Sequence, residues 1–339
     1  MKRTVSLVAG VLSMFLLAGC GGGGGGDSSA SPYTGLTSQA SLTQDNVVDI
    51  TTQAYQAGDR TVSAAMVTPL GEPGQGQSEA GNSRAVALVR MLRAVVESVE
   101  MPPVSPSRPL SATGAAPMEV ITESDTIYDG FGGTASYTLT VDTVTGDFSG
   151  TFTFSNWHGD ADSTISGTTS VTGHFDETAG AISRIRFTFH GVTMMDGADS
   201  ITITGTVDLS MTPPSGTATV EMYLEESVTG ATVWIHNYEV TVTEGPDANP
   251  ADGEPDYTDA VVSGRIYLHD YGYVDVSTPT PFRVYAGSTN PASGVFLVDG
   301  SGGRSARLVV INESTGYYVE ADLDADGLYE WMSITYPWV

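Results

Sequence analysis

The chain has 339 residues, room for one or two domains, and carries 40 Asp and Glu against 13 Lys and Arg, a formal net charge of −27 at pH 7. Because binding phosphates requires clustered basic residues, this charge excludes a nucleic-acid partner and disfavours anionic lipid headgroups. The single cysteine excludes an internal disulfide, so burial, hydrogen bonds and bound ions must supply the stability.

The first predicted element is an amino-terminal targeting segment. Met1-Lys2-Arg3 is a short cationic stretch, and residues 5–17 are apolar except for two serines and one glycine. A cationic start followed by a short apolar run is typical of a secretory signal, and the run is too short for a permanent membrane span. It ends in Leu17-Ala18-Gly19-Cys20, which resembles the lipobox of bacterial lipoproteins.

The resemblance implies that residues 1–19 are removed and that the Cys20 thiol receives a covalent diacylglycerol. The new amino group would also be acylated. Two or three fatty-acyl chains such as palmitate anchor durably, whereas a single chain binds a membrane only marginally. By the same resemblance, Gly21 in place of an aspartate favours the outer membrane over the inner one. Residues 20–31, which begin with Cys20 and six glycines, predict a flexible tether.

Residues 32–117 predict a helical and irregular region with Pro-rich linkers. A first helix is predicted over Gln44–Gln56, with Thr43 as its N-cap and Gly58 just past its end. A second helix is predicted over Ser83–Glu100, where apolar residues recur at a period near 3.6. Arginines accompany this apolar stripe, so it either packs on its own domain or lies on a membrane surface.

Residues 118–339 predict an antiparallel β domain, because apolar and Thr-rich polar positions alternate along them. Such alternation is typical of strands with one buried face. Short turns separate the strands, and we expect a meander that is closed as a barrel or folded as a sandwich. The acidic, loop-like segment 244–259 is where this region would divide. The apolar members of these runs are Tyr137, Leu139, Val141, Phe152, Phe154, Ile185, Phe187, Phe189, Ile201, Ile203, Val207, Leu209, Val220, Met222 and Leu224.

The most specific motif of this region is the segment from Asp322 to Glu330, which reads DLDADGLYE. It resembles the DxDxDG calcium loops of EF-hands and of several extracellular β proteins. Carboxylates at alternate positions of a curled loop converge on one hard cation, and glycine permits the bend. The resemblance implies as ligands the carboxylates of Asp322, Asp324, Asp326 and Glu330 and the carbonyl of Leu328.

The match to an EF-hand is incomplete. Ser333 stands where an EF-hand has its closing glutamate, and strands rather than helices are predicted on either side. The shorter DxDxDGxxD/E form fits better, with a structural rather than a regulatory role. The alternative is an acidic hairpin turn without a metal, in which Asp and Gly serve the turn itself.

Histidines and tryptophans offer weaker signals. His158, His174 and His190 are spaced by 16 residues, which in a meander would stack them on neighbouring strands. His158 and His174 could then form a divalent site with Asp160, Asp162 and Asp176; the alternative is scattered strand and turn residues. Trp157, Trp234, Trp331 and Trp338 form either a sugar-binding platform or packing contacts. The sequence contains no zinc motif, phosphate-binding loop or nucleophile elbow.

These features favour a non-enzymatic lipoprotein of the cell surface or periplasm, held to the membrane by lipid. It would act as a binding or structural module for an envelope protein or a polysaccharide, with calcium as a stabilising ion. The order of features, a lipobox, a Gly-rich tether, short helices and a Thr- and Gly-rich β body ending in DxDxDG, is similar to that of bacterial lipoproteins without an assigned activity. Two alternatives remain open: a hydrolase of envelope material that uses Asp/Glu pairs, and an envelope lipid carrier with an apolar β cavity.

Overall fold

The alternating sequence pattern produces strands over most of the residues that the structure describes. The structure, a computed structural model, describes residues 33–65, 120–129, 131–158, 163–176, 181–196, 199–212, 214–246, 255–288 and 290–338, with the backbone alone for 59–65. The elements are α1 Val47–Ala65, β1 Val120–Tyr128, β2 Thr134–Asp142, β3 Asp147–His158, β4 Ser163–Asp176, β5 Ala181–Asp196, β6 Asp199–Thr212, β7 Ser215–Glu226, β8 Thr232–Glu244, β9 Tyr257–Leu268, β10 Gly272–Tyr285, β11 Ser293–Asp299, β12 Ser305–Asn312, β13 Gly316–Asp322 and β14 Trp331–Met332.

The strands form one antiparallel meander in which each strand pairs with the next in chain order, as predicted. The predicted closure is wrong: among the described strands β1 and β14 are the two edges, and the strands make a single sheet rather than the two of a sandwich. β14 has only two residues to pair. On β1, exposed Glu123 and Asp125 stand opposite core residues of β2, and burying these carboxylates in a closed seam would be costly.

One face of the sheet is the hydrophobic core. Of the fifteen apolar residues that alternation predicts to share this face, fourteen are no more than 9% exposed and Ile201 is partly buried against the core, which confirms the predicted faces. Phe187, Phe189 and Leu139 are among the largest fully buried side chains. Thr, Ser and charged residues occupy the opposite face because strand side chains alternate between the two faces of a sheet.

Helix α1 lies on the core face of the sheet, against β7–β9 and β11–β13. Its buried stripe includes Val47, Ile50 and Ala54, whose spacing in the sequence predicts one apolar face. It begins at Val47 rather than Gln44, because residues 44–46 form a turn. In this turn the Thr43 N–H donates to Asn46 Oδ1 at 2.8 Å, and the Asn46 and Val47 N–H groups donate to the Thr43 carbonyl.

The predicted end of this helix is also wrong, since α1 continues through Gly58 to Ala65. A Cβ atom at position 58 would lie 2.3 Å from the hydroxyl oxygen of Tyr238, a residue of β8 that is 1% exposed. Glycine is therefore needed here for close approach of helix and sheet. Gly58 therefore marks a contact between the helix and the sheet and not the end of the helix.

Three further sequence predictions have three different outcomes. The sequence from Tyr329 to Tyr336 predicts a final strand, but in this segment only β14 and an isolated bridge between Tyr336 and Tyr317 pair with β13. The strands β8 and β9, which flank segment 244–259, pair with each other, so the sheet continues across it. Residues 1–32, with the signal, Cys20 and the tether, and the helix predicted over Ser83–Glu100 lie outside the described residues.

Candidate metal centre

The Asp-rich loop is the reversal between β13 and the carboxyl-terminal tail. Asp322 is the last residue of β13, and β14 returns beside it, with Trp331 opposite Ala321 and Met332 opposite Glu320. The Asp322 residue is 3% exposed, whereas Asp324, Asp326 and Glu330 are exposed. One carboxylate of the loop, that of Asp322, is therefore buried, and the other three are open to solvent.

The Asp322 carboxylate organises the loop backbone. Its Oδ1 accepts hydrogen bonds from the N–H groups of Ala325 at 2.7 Å and Asp326 at 3.2 Å, and its Oδ2 accepts one from Gly327 at 2.8 Å. The chain curls around it through positive φ angles, 67° at Ala325 and 88° at Gly327. Glycine adopts such angles freely, whereas at alanine they cost about 1–2 kcal/mol. The three hydrogen bonds hold the curl despite this cost.

The curl brings four carboxylates together. One oxygen from each of Asp322, Asp324, Asp326 and Glu330 lies within 4.8 Å of the others, the one such group of metal-ligating side chains in the described ranges. Oxygen ligands lie about 2.3–2.6 Å from Ca²⁺, so two ligands on opposite sides of the ion are roughly 5 Å apart. The spread of the oxygens and the all-oxygen donor set therefore fit one hard divalent cation.

Two of the exposed carboxylates also hold the backbone. Asp324 Oδ1 accepts from the Asp326 N–H at 3.3 Å, and Asp326 Oδ1 accepts from the Leu328 N–H at 2.8 Å. These contacts use one oxygen of each group and leave the other for a cation. The Leu328 side chain is 66% exposed, and its carbonyl as a ligand stays a prediction.

Ser333 has a different role from the glutamate that an EF-hand has there. Its hydroxyl accepts a hydrogen bond from the Val319 N–H at 2.9 Å and donates to the Ile334 carbonyl at 2.7 Å. Strands flank the loop on both sides, as predicted. Ser333 thus fastens the tail to β13 just after the loop.

A second cluster, which the sequence did not reveal, contacts the loop at Tyr329. The Arg307 guanidinium pairs with Glu320 and lies 4.0 Å from the ring centroid of Tyr329. The Tyr329 hydroxyl contacts Ser305 Oγ at 3.1 Å. Glu320 is 7% exposed, so its charge is balanced by Arg307 rather than by a metal. Only the paired register of β12 and β13 brings these residues together.

Beyond the loop the tail docks on the protein body. Tyr317 and Tyr336 exchange two backbone hydrogen bonds of 3.0 and 2.8 Å, and the Trp338 indole N–H donates to the Asn312 carbonyl at 2.9 Å. The rings of Trp338 and Tyr317 lie 5.2 Å apart. The geometry of the loop therefore determines where Tyr336 and Trp338 of the tail contact the rest of the protein.

The predicted histidine site is not assembled. Register places His174 opposite Asp147 and His158 opposite Thr164, at the two ends of the β3–β4 pair. His190 contacts Ser170 through Nε2 at 2.9 Å. A spacing of 16 residues fails to stack side chains here because strand and turn lengths differ between hairpins. Asp160 and Asp162 lie outside the described residues.

His158 has instead a partner that sequence reasoning missed. Asp129, whose side chain is 2% exposed, accepts from His158 Nδ1 and the His158 N–H, both at 2.7 Å. It also accepts from the Phe131 and Gly133 N–H groups at 2.7 and 2.9 Å. Desolvation would raise the pKa of Asp129, but these four hydrogen bonds outweigh it and hold the pKa well below the usual range.

The tryptophans serve packing. Trp234 is stacked between Tyr223 and Tyr267, at centroid distances of 5.3 and 4.3 Å, and its indole N–H donates to Glu221 at 2.6 Å. Both faces of the ring are therefore used, which leaves no open platform for a sugar. The other three tryptophans, Trp157, Trp331 and Trp338, are packed against the core.

A shallow depression lies on the outer face of the sheet, between β2, β3 and β4. It is lined by hydroxyl side chains together with Gly150 and Val171, and it contains no carboxylate. It therefore supplies neither the acid pair of a hydrolase nor the apolar cavity of a carrier. Its hydroxyl lining is Thr138, Thr140, Ser149, Thr151, Ser170 and Thr172.

Comparisons with protein-family models, with characterised proteins and with solved structures return no match for this chain. Across the residues that the structure describes, no helix combines the length and the hydropathy needed to cross a membrane.

Proposed function

We propose that the chain is a lipid-anchored lipoprotein of the bacterial envelope, a binding or structural module rather than an enzyme, and that its Asp322–Glu330 loop binds Ca²⁺. The observation that carries the metal assignment is the convergence of four carboxylate oxygens on a loop already curled by the Asp322 hydrogen bonds. Calcium suits the loop because it tolerates irregular oxygen coordination, whereas Mg²⁺ demands a near-ideal octahedron.

The described arginines support a neutral or cationic partner rather than an anionic one. Each of the six whose side chains are described is already engaged. Arg184 and Arg186 pair with Asp208, Arg265 with Asp275, Arg283 with Asp259 and Arg307 with Glu320, while Arg304 donates to the Leu42 carbonyl. Phosphate binding needs free clustered cations, which this part of the chain does not offer.

The anchor rests on the sequence motif that ends at Cys20. It is tested by expressing the full precursor and a Cys20→Ser variant in bacteria and separating membranes from soluble fractions. The parent is expected to incorporate labelled fatty acid and to sediment with membranes, and the variant to lose the label. A variant that is processed and sediments like the parent would contradict lipid anchoring.

Metal binding is tested separately, by calorimetric titration of Ca²⁺ into the full chain in detergent. We expect one site, and loss of binding in an Asp324→Asn/Asp326→Asn variant, because amide oxygens keep the backbone contacts but lack the charge. An Asp142→Asn variant, altered in a turn remote from the loop, serves as the matched control. Equal heats for all three proteins would contradict the assignment.

A further inference from the structure

Among the described strands, β1 is a long edge strand of the sheet. All nine of its residues pair with β2 in continuous register, from Val120 opposite Asp142 to Tyr128 opposite Thr134, without a bulge. In an antiparallel strand the backbone groups point alternately to either side, so about half of the nine residues direct theirs away from β2. In the described chain no strand or turn hydrogen bond joins β1 to a second neighbour.

Proteins usually protect such an edge against strand addition with proline, lysine, a bulge, a covering segment or charged side chains that point toward the core. An inward-pointing charge blocks an apolar strand or one of like charge, but not a strand with opposite charges at the facing positions. β1, with the sequence VITESDTIY, has no proline, lysine or bulge. Its distinguishing feature lies on the core face, where exposed Glu123 and Asp125 stand between half-buried Ile121 and Ile127. Any strand added to this edge would meet that pattern of apolar, acidic, acidic and apolar side chains.

The acidic pair selects against a second copy of the chain. Two β1 strands paired antiparallel about Ser124 would set Glu123 of each copy directly opposite Asp125 of the other. Like charges directly opposite on one face destabilise a strand pair, whereas opposite charges stabilise it. These charges therefore disfavour pairing with β1 of a second copy, and they favour a strand with basic residues opposite Glu123 and Asp125.

We propose that β1 is a docking edge for an extended segment of a partner protein, which adds as a further strand and carries Lys or Arg opposite Glu123 and Asp125. Main-chain hydrogen bonds would supply affinity and the alternate side chains specificity. Apolar residues suit the positions opposite Ile121 and Ile127. The assignment goes beyond the function proposed above, and it requires neither the calcium loop nor the anchor.

The opposite face of β1 specifies the remaining positions of the partner strand. Three hydroxyls on this face contact hydroxyls of β2 at 2.9–3.1 Å, so serine or threonine in the added strand would extend the same rows. The β1–β2 pairs are Thr122 with Thr140, Ser124 with Thr138 and Thr126 with Ser136. Strand β1 therefore specifies which side chains a partner strand should carry on each of its two faces.

The test uses two labelled peptides, Val-Thr-Lys-Thr-Lys-Thr-Val and its counterpart with Glu in place of Lys, titrated against the full chain in detergent. Their palindromic pattern matches β1 in either orientation. The Lys peptide is expected to bind about tenfold more tightly than the Glu peptide, and less tightly at high salt. A Glu123→Lys/Asp125→Lys variant is expected to reverse the preference. Hydrogen exchange is expected to slow within residues 120–128 on binding.

Absence of binding, equal binding of both peptides by the parent, or protection outside β1 would overturn the proposal. The peptide comparison on the parent protein needs no variant, so it stands even if charge reversal impairs folding. Sedimentation analysis of the parent protein tests whether the edge instead binds a second copy of the chain. A parent protein that dimerises through β1 would identify a second copy instead, whereas the proposal expects dimerisation only after Glu123→Gln/Asp125→Asn removes the repulsion.

Discussion

The indole ring of Trp338 lies against the phenol ring of Tyr55, with centroids 6.3 Å apart, so the end of the chain is packed onto helix α1. Tyr317 of β13 completes the contact, with its ring 6.2 Å from that of Tyr55. The chain reaches this position only because the Asp322–Glu330 loop reverses its direction. The Asp322–Glu330 loop, strand β13 and helix α1 are therefore linked through the carboxyl-terminal tail.

The first prediction concerns this aromatic contact. Trp338→Ala is expected to lower the free energy of unfolding by about 2 kcal/mol, less than for a fully buried tryptophan because Trp338 is only partly buried. A double-mutant cycle with Tyr55→Ala should give a coupling of about 1 kcal/mol. Urea unfolding measures both quantities. Met332→Ala, at a tail residue that is 61% exposed, is the control and should change stability by less than about 0.5 kcal/mol. Additive effects of the two aromatic substitutions would contradict the contact.

The second prediction concerns the close approach of α1 and β8. Gly58→Ala places a methyl group 2.3 Å from the Tyr238 hydroxyl oxygen and is expected to cost about 1–3 kcal/mol through overpacking. In an open helix position the same change would stabilise the protein. The matched control is Gly216→Ala, where the nearest atom is 3.7 Å away. Thermal denaturation of both variants tests this, and a stabilised Gly58→Ala protein would show that Tyr238 does not restrict position 58.

The third prediction concerns acid stability. The folded-state pKa of Asp129 is lowered from its ordinary value of 3.8, so its contribution is fully present above that value. The contribution is lost as the pH falls through the lowered folded-state pKa. Asp129→Asn should therefore destabilise the protein most at neutral pH, and its difference from the parent should shrink below pH 3.8, as followed by melting temperature.

The matched control for this prediction is Asp147→Asn. The Asp147 side chain is 66% exposed, and its hydrogen bond with His174 is the main cause of a lowered pKa. Solvent screening makes such exposed pairs worth little. If both substitutions changed stability equally, or if the Asp129→Asn deficit persisted unchanged in acid, the buried Asp129 network would not be a source of stability.

Strand positions and faces could be predicted from sequence because alternation is a local property, as the buried Phe187 and Phe189 illustrate. The four carboxylates of the Asp loop were also predictable, since all its members lie within nine consecutive residues. The Asp129–His158 and Arg307–Glu320 pairs were not, because strand register determines which distant residues become neighbours. The role of Gly58 could not be predicted for the same reason, because Tyr238, which leaves no room for a side chain at position 58, lies on another element.

The account depends most on the claim that Ca²⁺ at the Asp322–Glu330 loop stabilises the folded chain, and melting temperature of the full chain in Ca²⁺ against chelator tests it most directly. At about a hundredfold excess over the dissociation constant, linkage gives roughly 2.7 kcal/mol, or roughly 5 °C for a body of this size. Asp324→Asn/Asp326→Asn should abolish the increase, and in chelator it should melt no lower than the parent because carboxylate repulsion is relieved. A parent protein with the same melting temperature in millimolar Ca²⁺ and in chelator would contradict the account.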